Sequence, residues 1–404
     1  MLLAGRDLIS IFDLSDREIE ALFALADEMS EHTRERLDLL TGLVMCTLFY
    51  EPSTRTRLSF ESAMLRLGGD VISVADASVT SVAKGETIAD TARIVESYSD
   101  VIVMRNPWEG SAKVAADYAS VPVINAGDGA HEHPTQTLLD LYTIRREKGA
   151  LKDVNVALVG DLRYGRAAHS MAFGLARFGA KVTLVAPPGL EMPAYLLARL
   201  DRGFGCRPEQ YYSLAEMVTD DESMKKRLGR QRAIASEVLA LFDAIYVTRV
   251  QKERFESAKE YQKAKTSYAI TEELVAKARP DALVMHPLPR VDELAYAVDR
   301  DPRAVYFKQA AYGLPVRMAL LAAVLGRRSL RLGRARKSEY RPRTQHPVDF
   351  RKVADLRCGN SRCVTNQEAY LSPSFTFVEH SPDRIACAYC EHEMLAPFSP
   401  GGGR

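Results

Sequence analysis

The sequence has almost no net charge. Its 54 Lys and Arg residues nearly cancel 53 Asp and Glu, leaving +1. No global field therefore draws it to nucleic acid or a membrane surface, and any electrostatic function must be local. It also lacks any apolar run of about 18 residues, which excludes a membrane-spanning helix. The opening stretch MLLAGRDLISIFDLSDREIEALF carries acids within its first apolar segment and no cleavage-like site, which argues against a secretory signal. These absences lead us to expect a cytoplasmic protein. There is no internal repeat. Cysteine is sparse and uneven: Cys46 and Cys206 are isolated, and the other four crowd into roughly the last fifty residues. A disulfide framework would need an oxidising compartment that nothing in the sequence indicates.

What is present is a soluble-type composition, 47% hydrophobic and 26% charged, over 404 residues. That length suits two or three domains, each able to bury its own core. Ser15 followed three residues later by Glu18 opens a helix with a capping-box signal, continued by Ile19, Leu22, Phe23 and Leu25. Leu43 to Tyr50 reads as a buried strand. After the turn EPST, Phe60, Met64 and Leu67 share one helix face, which Gly68 and Gly69 terminate. Strand-like runs recur at 71–74, 101–104, 121–124, 154–159, 181–185, 244–247 and 282–285, mostly with helical patterns between them. This alternation predicts an α/β fold with two parallel-sheet domains. We place their boundary near residue 145, giving domains over 1–145, with a return helix over 305–325, and over 146–304.

Residues 326–350 break the pattern with an Arg-rich, proline-containing stretch that reads as a basic linker. It is either a solvated connector or a docking strip for an acidic surface or nucleic acid. The tail SPGGGR reads as disordered. Within 351–397, Cys358-x4-Cys363 and Cys387-x2-Cys390 offer four thiolates on two turns, the pattern of tetrahedral structural Zn2+ in a small β domain. The surrounding segment has no extended aromatic and basic face, so nucleic acid is not expected as a partner.

Several motifs carry chemistry. EPSTRTR lies between a buried strand and a helix start, where unpaired N–H groups and the helix dipole favour an anion. Ser53, Thr54 and Thr56 add hydroxyl donors, and Arg55 adds a planar fork suited to a phosphate dianion. Thr80, Ser81 and Lys84 occupy a polar loop in TSVAKGETIADT. Arg105 follows the apolar run VIVM at the carboxyl end of a predicted parallel strand, where α/β folds place ligands. His133 and Gln136 in HEHPTQTLLD can donate to a carbonyl or phosphate oxygen. VALVGDLRYGRAAHS lacks the G-x-G-x-x-G spacing of a dinucleotide site. Arg166 there, with Arg249 and Gln251 in YVTRVQKER, instead provides cationic forks for a dicarboxylate. In MHPLPRVDEL, prolines fix the backbone and leave carbonyls such as that of Leu288 to accept from an amine. Each motif alone has an ordinary structural explanation, as an N-cap or as surface arginines.

Taken in order, FYEPSTRTRLSFE, SVAKGE, VMRNP, HPTQTLLDL, GDLRYGR, TRVQKER and HPLPRVDE resemble the aspartate carbamoyltransferases from about residue 5 to 325. Ornithine enzymes typically show H-C-L-P where this chain has His286-Pro287-Leu288-Pro289, and TRVQ also favours aspartate. The resemblance implies transfer of a carbamoyl group from carbamoyl phosphate to L-aspartate, with no cofactor in the chemical step. Ser53, Thr54, Arg55, Thr56 and Arg105 would hold the phosphate. Thr56, Arg105 and His133 would polarise the carbonyl, with Gln136, Leu288 and Pro289 about the carbamoyl group. Arg166, Arg249 and Gln251 would bind aspartate, and Thr80 and Lys84 would come from the neighbouring subunit of a homotrimer. Thr80 stands where the family often has serine, which keeps the hydroxyl.

The C-terminal segment resembles the zinc domain of the family's regulatory chain, which in that family touches the catalytic chain, so a higher assembly through the module is conceivable. No room exists for a regulatory-type nucleotide domain, so no ATP or CTP site is expected. One departure is a stretch near 219–239, about twenty residues longer than the family pattern, directly before Arg249. The competing readings are a carbamoyltransferase for another amino acid and a non-catalytic scaffold that binds a partner through the zinc module.

Overall fold

A computed structural model describes residues 3–76, 80–211, 241–249, 269–333, 356–378 and 381–397. The chain divides into two units, Met1–Thr135 with Leu314–Arg404, and Gln136–Gly313. In the first unit Ser15 caps α1 (Asp16–Ser30) reciprocally: its hydroxyl accepts from Glu18 N at 3.2 Å, and Glu18 Oε2 accepts from Ser15 N at 2.8 Å. Next come β1 (Val44–Phe49), α2 (Thr54–Arg66), β2 (Asp70–Val74), a short 3-10 turn at Ser81–Lys84, α3 (Ile88–Val95), β3 (Val101–Asn106), α4 (Ser111–Tyr118) and β4 (Val123–Asp128). The strands pair in parallel in the order β2-β1-β3-β4. Met45, Leu48, Phe49 and Val101 to Met104 are buried, as central strands covered on both faces require. Phe60, Met64 and Leu67 form the buried stripe of α2, which ends where Gly68 takes φ +88°. The order reverses direction between β1 and β3, so the chain leaves their carboxyl ends on diverging paths, and the crevice so formed is where open α/β sheets place ligands.

The second unit repeats the scheme. The helix α5 (Pro134–Lys148) is followed by β5 (Asn155–Val159), α6 (Arg166–Arg177), β6 (Lys181–Val185), α7 (Ala194–Phe204), β7 (Glu209–Tyr211), β8 (Ala244–Val247), α8 (Glu272–Ala276), β9 (Leu283–Met285) and α9 (Tyr306–Val324). The sheet is parallel in the order β7-β6-β5-β8-β9, and its reversal lies between β5 and β8. Val159, Val185, Ile245, Val247, Val284 and Tyr306 belong to one buried cluster. Gly160 ends β5 at φ +119°, and a Cβ there would stand 2.3 Å from the Thr248 carbonyl oxygen, so only glycine lets the strand end approach its neighbour. The stretch near 219–239, Gln251 and residues 334–350 of the expected linker lie outside the described residues.

The C-terminal module returns to the first unit as an antiparallel sheet of β10 (Phe375–Val378), β11 (Ser381–Cys387) and β12 (Glu393–Leu395). It docks on the loop between β3 and α4. Glu109 N donates to the Arg362 carbonyl at 3.0 Å and Val364 N to the Glu109 carbonyl at 2.8 Å, while Asn360 Nδ2 reaches Glu109 Oε2 at 2.6 Å. Val364 and Leu371 enter the same buried cluster as Ile88, Ala92, Val114 and Ala115. Full burial of such side chains is worth roughly 1.5–3 kcal/mol each, against about 1 kcal/mol net for a hydrogen bond, so apolar contact contributes the larger share of the attachment. Gly110 lies at this junction with φ +89°, and a Cβ there would stand 2.8 Å from Tyr389 backbone and side-chain atoms. Gly110→Ala combines left-handed strain with a clash against backbone. It should lower unfolding stability by about 2 kcal/mol or more in denaturant titrations. An unchanged midpoint would show that the module does not sit against this glycine.

Candidate functional site

The polar side chains of the first unit gather where its strands end. Ser53 precedes α2 in extended conformation, φ −158° and ψ 92°, and its side chain makes no capping hydrogen bond. The first-turn N–H groups of α2 have no partner within the helix, so the missing cap leaves donors and dipole directed at an anion. Thr56 is buried, whereas Thr54 and Arg55 are exposed. The end of β3 lies beside that of β1: Phe49 pairs with Arg105, and Tyr50 N donates to the Arg105 carbonyl at 2.8 Å. The buried Arg105 side chain donates from Nη2 to Glu51 Oε1 at 3.1 Å and from Nη1 to the Ala126 carbonyl at 3.2 Å. Glu51 thus balances and orients the arginine from within the EPSTRTR turn itself, a role the sequence reading missed.

His133 is buried just beyond the end of β4. Its turn is organised by Asp128, whose Oδ1 accepts from Glu132 N at 3.0 Å and from Asn125 Nδ2 at 3.0 Å. Asp128 Oδ2 accepts from Gly110 N at 2.8 Å and lies 2.9 Å from His131 Nδ1. Burial alone would depress His131, but the carboxylates of Asp128 and Glu391 outweigh it and hold the imidazole well above its ordinary 6.5. Thr80 accepts from Val82 N and opens the 3-10 turn that carries the exposed Lys84, after the end of β2.

In the second unit the arginines occupy the equivalent edge. Arg166 is the first residue of α6, and Arg249 follows β8 by two residues. Asp161 shapes the turn before α6 by accepting from Arg163 N at 3.1 Å and Tyr164 N at 3.0 Å. After β9 the chain runs through His286 to Leu288, at φ +56°, and a cis peptide bond to Pro289. His286 Nδ1 accepts from Leu288 N at 2.7 Å, which leaves its Nε2–H to donate to Glu293 Oε1 at 2.8 Å. Burial would raise the Glu293 carboxyl, but hydrogen bonds from His286 and from backbone N–H groups hold it below the ordinary value. Gln136, in the first turn of α5, donates from Nε2 to Asp140 Oδ1 at 2.9 Å. Tyr246 also donates to Asp140, at 2.7 Å, and burial with that carboxylate pushes its phenol well above the usual 10. Asp140 was legible in principle as the i+4 neighbour of Gln136.

Cys358, Cys363, Cys387 and Cys390 are buried, with all four Sγ atoms within 4.8 Å of one another. Cys358 and Cys390 Sγ are 3.5 Å apart, and Cys363 and Cys387 Sγ 3.7 Å, far beyond a disulfide bond. A tetrahedral ion with bonds of about 2.3 Å requires thiolates about 3.8 Å apart, so the arrangement fits one. Cys46 is unrelated to it, a buried thiol whose pKa burial pushes up to about 12.

Comparison with known proteins gives the family and the fold. Residues 6–146 match the model of the aspartate/ornithine carbamoyltransferase carbamoyl-P binding domain, and residues 152–324 that of the Asp/Orn binding domain. The aspartate carbamoyltransferase catalytic subunit of Thermoplasma acidophilum is 48% identical over 327 residues, covering 80% of this chain and all of that protein. The chain belongs to the aspartate carbamoyltransferase family. The family's catalytic subunit from Methanopyrus kandleri is 48% identical over 325 residues, covering 80% of this chain and 98% of that one. Aspartate transcarbamoylase from Trypanosoma cruzi, solved with N-(phosphonacetyl)-L-aspartic acid, superposes with TM-score 0.72 at 41% identity, covering 80% of this chain and 97% of the other. The catalytic subunit from M. jannaschii gives TM-score 0.68 at 45% identity, covering 78% and 96%. Residues 351–396 match the metal binding domain of the aspartate carbamoyltransferase regulatory chain. Among the described residues no helix is long and apolar enough to cross a membrane.

Four converging thiolates repel one another without a cation, so chelation should lower the melting temperature and expose the module to protease before it alters substrate contacts. Unchanged melting after demonstrated metal removal would rule out a structural centre.

Proposed function

We propose that this chain transfers the carbamoyl group of carbamoyl phosphate to the amine of L-aspartate, giving N-carbamoyl-L-aspartate and phosphate in de novo pyrimidine biosynthesis. The observation that carries the site assignment is the uncapped start of α2 beside Arg105, itself held by Glu51 and the Ala126 carbonyl. Ser53, Thr54, Arg55, Thr56 and Arg105 take the phosphate. The Trypanosoma cruzi relative has also been solved with carbamoyl phosphate and aspartate, which supports the same two substrates here. We assign residues 1–145 with the return helix 305–325 to carbamoyl phosphate and 146–304 to aspartate, whose carboxylates meet Arg166, Arg249 and Gln251.

The neutral amine attacks the carbonyl carbon, and Thr56, Arg105 and His133 stabilise the oxyanion that develops. Gln136 and the carbonyls of Leu288 and Pro289 hold the carbamoyl NH2. Alignment of the two substrates replaces a bimolecular encounter and lowers the barrier further. Phosphate leaves and accepts the amine proton, so no cofactor is needed in this step. Zn2+ in the four-cysteine module is structural. Thr80 and Lys84 complete the site of a neighbouring subunit in a homotrimer, and the module offers a route to higher assembly.

Purified protein should release phosphate from carbamoyl phosphate with aspartate and not with ornithine. Turnover with ornithine alone would move the assignment to another acceptor, and none with either, in folded zinc-loaded protein, would favour the scaffold. Arg55→Ala should cost at least about a hundredfold in kcat/KM with unchanged melting, since it removes a transition-state contact from an exposed position. Near-normal turnover would discard the phosphate-site assignment. Mixing inactive Lys84→Ala and Arg55→Ala chains should restore part of the activity, because a hybrid interface can assemble an intact site. No recovery after verified subunit exchange would contradict shared sites.

A further inference from the structure

Asp140 lies on α5 with no exposure to solvent. Its carboxylate accepts from Tyr246 Oη at 2.7 Å through Oδ2, and from Gln136 Nε2 at 2.9 Å and Gln309 Nε2 at 2.6 Å through Oδ1. A carboxylate only accepts, so both glutamine amides must turn their nitrogens toward it. The orientation of Gln309 is fixed a second time, because its Oε1 accepts from the backbone N–H of His286 at 3.0 Å. His286 in turn accepts from Leu288 N. The carbonyl oxygen of the Gln136 amide is therefore directed away from Asp140, and the segment that presents the Leu288 carbonyl is tied to the same carboxylate through Gln309.

We propose that Asp140 is a positioning residue that fixes both acceptors for the carbamoyl NH2, the Gln136 side-chain oxygen and the Leu288 carbonyl, and so sets the preference for an NH2-bearing acyl phosphate. This rests on the assignment of Gln136 and Leu288 to the carbamoyl group. A Gln136 amide free to flip would present its own NH2 to the substrate NH2. Donor would then face donor, and the contact would become repulsive. The phosphate contacts lie on other residues and do not depend on Asp140, so the effect is confined to the acyl end of the substrate.

The test compares binding of carbamoyl phosphate and acetyl phosphate, which carries a methyl group in place of NH2, by calorimetry on full-length protein, with thermal melts of every variant. Gln136→Ala should weaken carbamoyl phosphate about tenfold relative to acetyl phosphate, the value of one hydrogen bond to a buried partner. Asp140→Ala should give a selective loss at least as large, because it frees the Leu288 segment as well as Gln136, and the double variant should lose no more than Asp140→Ala alone, because the Gln136 contact is already gone. Asp140→Asn should keep the native ratio: its Oδ1 still accepts from both glutamines, and its NH2 can donate to the Tyr246 hydroxyl oxygen. Asp140→Ser, too short to reach Gln136, replaces the alanine variant if that chain does not fold. An equal loss for both ligands in Gln136→Ala would remove the Gln136 assignment and this inference with it. A selective loss in Gln136→Ala, with an equal loss or none in Asp140→Ala, would overturn the inference alone.

Discussion

A parallel strand covered on both faces has no place along its length for a solvated charge, because every side chain it carries must leave water. Polar chemistry is therefore confined to the ends of such strands, and in both α/β units most of the residues assigned to substrate follow the carboxyl ends of buried strands, Thr80 and Lys84 after the more exposed β2 being the exception. In the first unit the turn after β1 carries Ser53 to Thr56, Arg105 closes the run of β3 and His133 follows β4. In the second, Arg166 follows β5 and Arg249 follows β8. The reversal of strand order between β1 and β3, and again between β5 and β8, keeps the crossover chains from covering these ends.

Such an edge also exposes the cost of burying charge, and the chain meets it with carboxylates from the same segments. Arg105 is almost wholly buried, and an isolated guanidinium there would be strongly destabilising. Glu51 at 3.1 Å and the Ala126 carbonyl at 3.2 Å compensate it. Asp128 performs the corresponding task around His131 and the turn before His133, whereas in the second unit Asp140 orients the neutral side chains of Gln136, Gln309 and Tyr246. In each case the acid lies within a few residues of a strand end or on the first turns of a helix. The orienting groups therefore move with the elements that carry the substrate-binding side chains.

Much of this was legible beforehand, for identifiable reasons. The runs at 101–104 and 244–247 are continuous apolar segments, and their burial leaves little else for them to be. The Ser15–Glu18 capping box specifies a local geometry that α1 adopts. The three-residue strand β7, Glu209–Tyr211, gave no signal, because two of its three residues are polar and it lies at a sheet edge where burial is partial. Partnerships across long separations were equally silent. Asp140 and Gln309 are 169 residues apart, and Glu109 and Asn360 are 251 apart. Neither glutamine nor asparagine carries a periodicity that names its partner. The motifs could locate Gln136, but not which way its amide faces, since that is decided by a carboxylate buried by the tertiary fold.

The C-terminal module shows the same dependence on tertiary context at a larger scale. A segment of this size buries too little apolar surface to be stable by its core alone, and four clustered cysteines require a cation as well. Docking supplies the missing burial through Val364 and Leu371, and fusion to the chain makes that docking intramolecular, so a modest interface stays occupied at any protein concentration. The interface is placed so that it is not mechanically neutral. The loop of Cys363 exchanges backbone hydrogen bonds with Glu109, the next residue Gly110 donates to Asp128, and Asp128 holds the turn that ends at His133. The cysteine loop and the turn before His133 thus belong to one continuous hydrogen-bonded structure. Displacing the cysteine loop would therefore remove support from Glu109 and Gly110, and through Gly110 from the Asp128 carboxylate that holds that turn.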